Sequence, residues 1–120
     1  MTFEITTTRS FSAAHQLRLY DGTLEPLHGH NWRAKVVVAT PRLDGIGVVM
    51  DFHELERLVD AIVLPMHNSN LNDAPAFKEH NPTAENVAAH VFRMLRLPSN
   101  VALSSVEIWE TDTNSAVCRA

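Results

Sequence analysis

The residues best suited to chemistry are imidazoles. His28 and His30 flank a glycine in Glu25-Pro26-Leu27-His28-Gly29-His30-Asn31-Trp32, which runs into the apolar alternation Ala34-Lys35-Val36-Val37-Val38. Residues two apart on an extended chain share a face, so both rings project together, with Gly29 leaving room between them. A third ring, His15, closes Phe11-Ser12-Ala13-Ala14-His15, at the end of another stretch with strand character. Three neutral imidazoles fit an open zinc site, with the fourth position left for water or substrate. Zinc held this way acts as a Lewis acid, lowering the pKa of bound water or polarising an oxygen. A His-x-His pair alone is ordinarily polar surface; the third histidine, the glycine and the adjacent Glu25 turn the reading toward a metal.

Three more residues are candidates. Glu25, three positions before His28, would be a proton acceptor beside the ion, although a lone carboxylate is more often plain surface. His67 lies among side-chain amides in Met66-His67-Asn68-Ser69-Asn70 and would either shuttle protons near neutral pH or decorate the surface. Glu110 follows the apolar Val106, Ile108 and Trp109 and shares the face of Ile108. A carboxylate there either faces solvent at a strand end or wants a donor pair, such as a guanidine-like ring edge on a ligand.

The elements that must position these residues follow from periodicity. Phe3, Ile5, Thr7 and then Phe11, Ala13, His15 alternate in one phase, giving a first strand; a second covers Asn31 to Thr40, before Pro41. Asp21-Gly22 and Pro26 mark the loop between them. Asp51 with Glu54 three residues on has the form of a capping box, and Phe52, Leu55, Leu58, Val59, Ile62 and Val63 form one helical face that Pro65 ends. Met66 to Asn81 reads as loop. Thr83 caps a second helix with Val87, Val91, Met94 and Leu95 on its buried side, and His90 within it is an ordinary surface or packing residue. Val101 to Glu110 and Ala116-Val117-Cys118 alternate again around a turn at Asp112-Thr113-Asn114. The expectation is a single α+β domain over residues 1–120, in the order ββααββ, with a four-stranded antiparallel sheet and two helices on one face.

Composition narrows the function classes. A net charge of -4 and no long basic run argue against nucleic acid or an anionic membrane surface as partner. The apolar runs fall well short of the roughly 20 residues that cross a bilayer. Cys118 is the only cysteine, so no internal disulfide forms, and no signal-peptide pattern opens the sequence; a cytoplasmic location is expected.

Taken together, the motifs are similar to those of the 6-pyruvoyl-tetrahydropterin synthase family and its bacterial relative, 6-carboxytetrahydropterin synthase. The resemblance runs through Phe11-Ser12-Ala13-Ala14-His15, Leu27-His28-Gly29-His30-Asn31-Trp32, Val48-Val49-Met50-Asp51-Phe52, Leu71-Asn72, Asn81-Pro82-Thr83-Ala84-Glu85-Asn86 and Val106-Glu107-Ile108-Trp109-Glu110-Thr111. It implies the tunnelling fold, in which subunits join their sheets into a barrel and commonly stack as a hexamer, with sites between subunits. It also implies zinc on His15, His28 and His30, a pterin substrate whose ring edge Glu110 anchors, and Thr83 and Glu85 as neighbours of that pocket.

Two departures bear on the reaction. Pyruvoyl- and carboxytetrahydropterin synthases carry a cysteine just before His-Gly-His, whereas this chain has none before position 118 and has Glu25 in that neighbourhood. That resembles a variant group, with Glu-x-Leu-His-Gly-His, which cleaves the side chain of 7,8-dihydroneopterin triphosphate to 6-hydroxymethyl-7,8-dihydropterin, a folate precursor. The family's Asp-His pair before Leu-Asn is also broken: alignment on Leu71-Asn72 puts His67-Asn68 there, and keeping His67 as the family histidine leaves Met66 for the aspartate. The resemblance therefore implies a zinc-dependent lyase with Glu25 and His67 as proton carriers. Its alternatives are a carboxytetrahydropterin synthase of the queuosine and deazapurine pathway, or a non-catalytic protein that binds a pterin or purine-like ring.

Overall fold

Strands β1 (Phe3–His15) and β2 (His28–Thr40) are each long enough to carry an imidazole at one end and a run of core residues behind it. In the computed structural model, which describes residues 1–120, they pair antiparallel along their full length, with Phe11 opposite Trp32, Ala13 opposite His30 and His15 opposite His28. The alternation puts Phe11, Ala13 and His15 on the same face as Trp32, Ala34, Val36 and Val38, and all of these are buried. The Phe11 and Trp32 rings stack with centroids 5.9 Å apart, fixing the register just below the histidines.

Helix α1 (Phe52–Val63) begins where the Asp51 carboxylate accepts from the His53 N–H at 2.7 Å. The reciprocal arm of the expected capping box is not made; Glu54 instead lies 3.9 Å from Arg57. A 3-10 turn, Leu64–Met66, carries Pro65 and ends the helix. Helix α2 (Ala84–Met94) is capped by the Thr83 hydroxyl, which accepts from Asn86 N–H at 3.1 Å. Leu55, Val59 and Val63 of α1 join Val87, Ala88 and Val91 of α2, and with the inner sheet face they form one continuous core. Each of the Leu and Val side chains fully removed from water contributes about 1.5–3 kcal/mol. Arg9 ties β1 to α1 through a two-pronged pair with Asp60, Nε to Oδ1 at 2.6 Å and Nη2 to Oδ2 at 2.7 Å.

The expected four-stranded antiparallel sheet needs correction. Three further strands, β3 (Ser69–Asn70), β4 (Ala102–Trp109) and β5 (Ser115–Arg119), complete a five-stranded sheet in the order β3-β1-β2-β4-β5, which is mixed because β3 runs parallel to β1 at Ala13 and Ala14. Strand β3 lies inside the stretch expected to be loop, and two residues are too few to show any periodicity. The remaining pairs are antiparallel, β2 with β4 and β4 with β5. Phe52 and Met94, expected in the core, are 55% and 53% exposed; each is at a helix end, where the apolar stripe passes the rim of the sheet. No helix is long and apolar enough to cross a membrane.

Candidate metal centre and its surroundings

The ends of β1 and β2 meet the C-terminal end of β4, and there the three histidines converge. Their candidate ligand nitrogens all lie within 4.8 Å of one another. His15 and His28 are register partners across the β1–β2 ladder, with Nε2 atoms 3.1 Å apart. His30, two residues along β2 on the same face, has its ring centroid 4.8 Å from that of His28 and 5.1 Å from that of His15. Trp32, wholly buried, supports both His15 and His30 edge to face, and its indole N–H donates to the Ala13 carbonyl at 3.1 Å.

The hydrogen bonds of the outer nitrogens decide the chemistry. His15 Nδ1 lies 2.8 Å from the Pro82 carbonyl, and His28 Nδ1 lies 2.9 Å from the Pro26 carbonyl. A carbonyl oxygen only accepts, so both Nδ1 atoms carry the proton, and in a neutral ring each Nε2 then presents a lone pair. With both rings neutral, these lone pairs face each other across 3.1 Å. His30 Nε2 is buried and has no hydrogen-bond partner at all. Burial pushes the His30 imidazole below its ordinary pKa, against the pull of Glu110, which favours the neutral ligand form. Glu110 brings further negative charge, with Oε1 3.0 Å from His15 Nε2 and 3.6 Å from His30 Nε2. A cation would balance such a convergence of electron pairs, and two of the three imidazoles have the outer nitrogen donating to a carbonyl, the support that metal-ligating histidines commonly have. The donor set therefore fits the zinc that the sequence implies.

Past His15 the chain leaves the ladder, and side chains complete its backbone hydrogen bonds. Asn72 accepts from Gln16 N–H at 2.9 Å and donates to Gln16 C=O at 2.8 Å. Asn81 does the same for Arg18, at 2.8 and 3.0 Å. Between them Leu17 is held by Glu25, whose Oε1 accepts from Leu17 N–H at 3.0 Å while its own N–H donates to Leu17 C=O at 3.0 Å. Asn86 donates to the Asn81 carbonyl at 2.8 Å, which fixes the turn that presents the Pro82 carbonyl to His15. Asn72, Asn81 and Pro82 were not among the expected site residues. Their only sequence signal is membership of the Leu71-Asn72 and Asn81-Pro82 motifs.

The expected site residues divide into two groups. His15, His28, His30 and Glu110 come together, and Glu25 is close enough to act on His30 by its charge. His67, Thr83 and Glu85 do not enter the cluster. His67 is at the sheet edge, with Nδ1 accepting from Ser12 N–H at 3.0 Å. Thr83 follows Pro82, and its hydroxyl is engaged as the α2 cap; Glu85 is exposed in the first turn of that helix.

A mixed sheet backed by two helices, with three imidazoles gathered where its strands end, defines an α+β domain whose histidine cluster could hold a metal ion. The model of the 6-pyruvoyl tetrahydropterin synthase family matches residues 4–120, and the chain belongs to that family. It is 39% identical to a 6-carboxy-5,6,7,8-tetrahydropterin synthase of Synechocystis sp. over 112 residues, covering 89% of this chain and 85% of the relative. It is 37% identical to a dihydroneopterin monophosphate aldolase of Pyrococcus furiosus over 103 residues, covering 84% and 83%. Among solved structures, 6-pyruvoyl tetrahydropterin synthase of Caenorhabditis elegans superposes with a TM-score of 0.84 at 27% identity, covering 100% of this chain and 96% of that one.

Proposed function

We propose that this chain is a zinc-dependent lyase that cleaves the side chain of a 7,8-dihydroneopterin, as the phosphate ester or the free triol, to give 6-hydroxymethyl-7,8-dihydropterin. One observation carries the choice of reaction: Glu25, three residues before His28, has one carboxylate oxygen fixed by Leu17 N–H and the other without a hydrogen bond, and its charge reaches His30. The only thiol, Cys118, is on β5 opposite Val106, well away from β4's site end. This supports reading Glu25 as a carboxylate base in place of the family's cysteine. The Pyrococcus furiosus relative, named as an aldolase, supports the same reaction class.

Zinc on His15, His28 and His30 would supply a Lewis acid for the side-chain oxygens. The other steps belong to the chain. Glu110 holds the amino-pyrimidine edge of the ring through its two carboxylate oxygens. Glu25 takes the proton of the C2′ hydroxyl; the C1′–C2′ bond breaks, C2′ becomes an aldehyde carbon and the bonding electron pair passes into the ring system. Protonation at C1′ then gives the hydroxymethyl product, and the two-carbon fragment leaves as glycolaldehyde or its phosphate ester. His67, Thr83 and Glu85, held off the chain's own cluster, are offered to the site of a neighbouring copy in a hexamer or trimer-based assembly, with His67 as second proton carrier.

The 39% identical relative named as a 6-carboxytetrahydropterin synthase gives a second reading, in which the product carries a carboxylate on C6. Incubating the zinc-loaded protein with dihydroneopterin and its mono- and triphosphate distinguishes the two. Hydroxymethyl product is expected; a C6 carboxylate selects the second reading, and no product from any of the three defeats both.

A further inference from the structure

Glu110 stands closer to the imidazoles than a ring anchor requires. In a tetrahedral site with bonds of about 2.0–2.1 Å, neighbouring ligand atoms are about 3.3–3.4 Å apart. Glu110 Oε1 is 3.0 Å from His15 Nε2 and 3.6 Å from His30 Nε2, and the His15 and His28 Nε2 atoms are 3.1 Å apart. The two Glu110 separations lie on either side of a tetrahedral edge, and its carboxylate approaches His15 and His30 but not His28, so a small side-chain rotation would complete the fourth position. Because His15 Nδ1 donates to Pro82, its Nε2 and the Glu110 oxygen are both acceptors in the neutral form, so a hydrogen bond does not account for their approach unless the ring is protonated.

We infer that Glu110 is an exchangeable fourth ligand, closing the metal centre when no ring ligand is bound and leaving it when one arrives. The inference rests on the metal reading above and adds a second role to the ring anchor. The fold allows the exchange. Glu110 lies one residue beyond β4, its N–H bonded to Asn114 C=O, and its side chain is 32% exposed, so the carboxylate can move by side-chain rotation with the backbone fixed. His15, by contrast, is 1% exposed and bonded at Nδ1, and stays in place. A carboxylate released from the ion has both oxygens free to accept from the ring edge. The centre then opens its coordination position only when the ring is seated.

The test replaces zinc by cobalt(II) and titrates azide, which enters an open coordination position and shifts the visible spectrum. Wild type is expected to bind azide at least about tenfold more weakly than Glu110→Ala and Glu110→Gln. Both variants are expected to lose zinc to a chromophoric chelator at least about tenfold more readily. Wild type that takes up cobalt and binds azide as tightly as the variants, with equal zinc affinity, overturns the ligation. Wild type that takes up neither cobalt nor zinc overturns the metal reading itself. Should either variant fail to fold, the wild-type azide affinity against free cobalt–imidazole complexes still decides: comparable binding means an open site and defeats the inference.

Discussion

The Nε2 atoms of His15 and His28 face each other at 3.1 Å while the Nδ1 of each ring is committed to a backbone carbonyl, of Pro82 and of Pro26. The pair is therefore set up as two electron donors aimed at one point. Cation binding relieves that repulsion, and this gives the first prediction. Protein purified without added metal contains one zinc per chain by elemental analysis. His28→Ala lowers zinc affinity by more than about 100-fold, since losing only a group that orients a ligand already costs about 10–100-fold. Removing the ion lowers thermal stability, by about 2.7 kcal/mol if free zinc had stood at a hundred times its dissociation constant.

The clamps behind the site give the second. Asn81 closes two hydrogen bonds on the backbone of Arg18, and its carbonyl accepts a third from the Asn86 side chain. Asn81→Ala leaves both Arg18 groups without protein partners in a partly buried setting and destabilises the fold by about 1–3 kcal/mol in urea unfolding. Asn81→Asp keeps the acceptor for Arg18 N–H and loses the donor, so it falls between wild type and Ala. Because this turn also presents the Pro82 carbonyl to His15, both variants weaken zinc binding without touching a ligand.

Much of this could be read from the sequence because it is local. The strand period of two places His28 with His30, and the phase from Phe11 places His15 on the inner face. What escaped is long-range or too short to have a period. The Pro82 carbonyl reaches His15 across 67 residues of sequence, and the Asn81 side chain reaches Arg18 across 63. Strand β3, with its two residues, owes its place to anchors at Ser12: Asn68 N–H donates to Ser12 C=O, and Ser12 N–H donates to His67. Asn68 makes that corner at a φ of 56°, a conformation asparagine tolerates better than most residues. Phe52 and Met94 show the other limit, since a helical stripe tells which face is apolar and not where the sheet beneath it ends.

A third prediction concerns pH. His90 on α2 packs against the Phe77 ring, centroids 5.5 Å apart, and burial followed by the nearby Arg93 pushes its pKa below the ordinary 6.5. His80, just before α2, lines the same small cavity with Arg93, so no carboxylate there offsets the cost of charging His90. Above pH about 6.5 both folded and unfolded chains carry the neutral ring, and the full contribution is present. As pH falls, the unfolded chain takes up the proton first, and stability declines until the depressed folded value is passed. Urea unfolding between about pH 7 and pH 5 therefore shows a smaller loss for His90→Gln than for wild type. His30, depressed mainly by burial, contributes a slope of the same sign in metal-free protein, so part of the loss remains in the variant.

The last prediction separates the two roles of Glu25. Its carboxylate accepts from Leu17 N–H, so replacing it can lower activity simply by loosening the loop before His28. Glu25→Gln resolves the two effects, because an amide oxygen still accepts from Leu17 while the side chain can no longer take a proton at neutral pH. Glu25→Ala removes both functions. If Glu25 is the base, Gln leaves the melting temperature and zinc content close to wild type and lowers kcat by about 100-fold or more, the range for loss of a general base. Ala lowers kcat similarly and costs about a further 1 kcal/mol in stability through the lost hydrogen bond. If Gln retains most of the turnover and only Ala fails, Glu25 is a loop clamp, and the proton acceptor must be sought elsewhere, His67 of an adjoining copy being the next residue to replace.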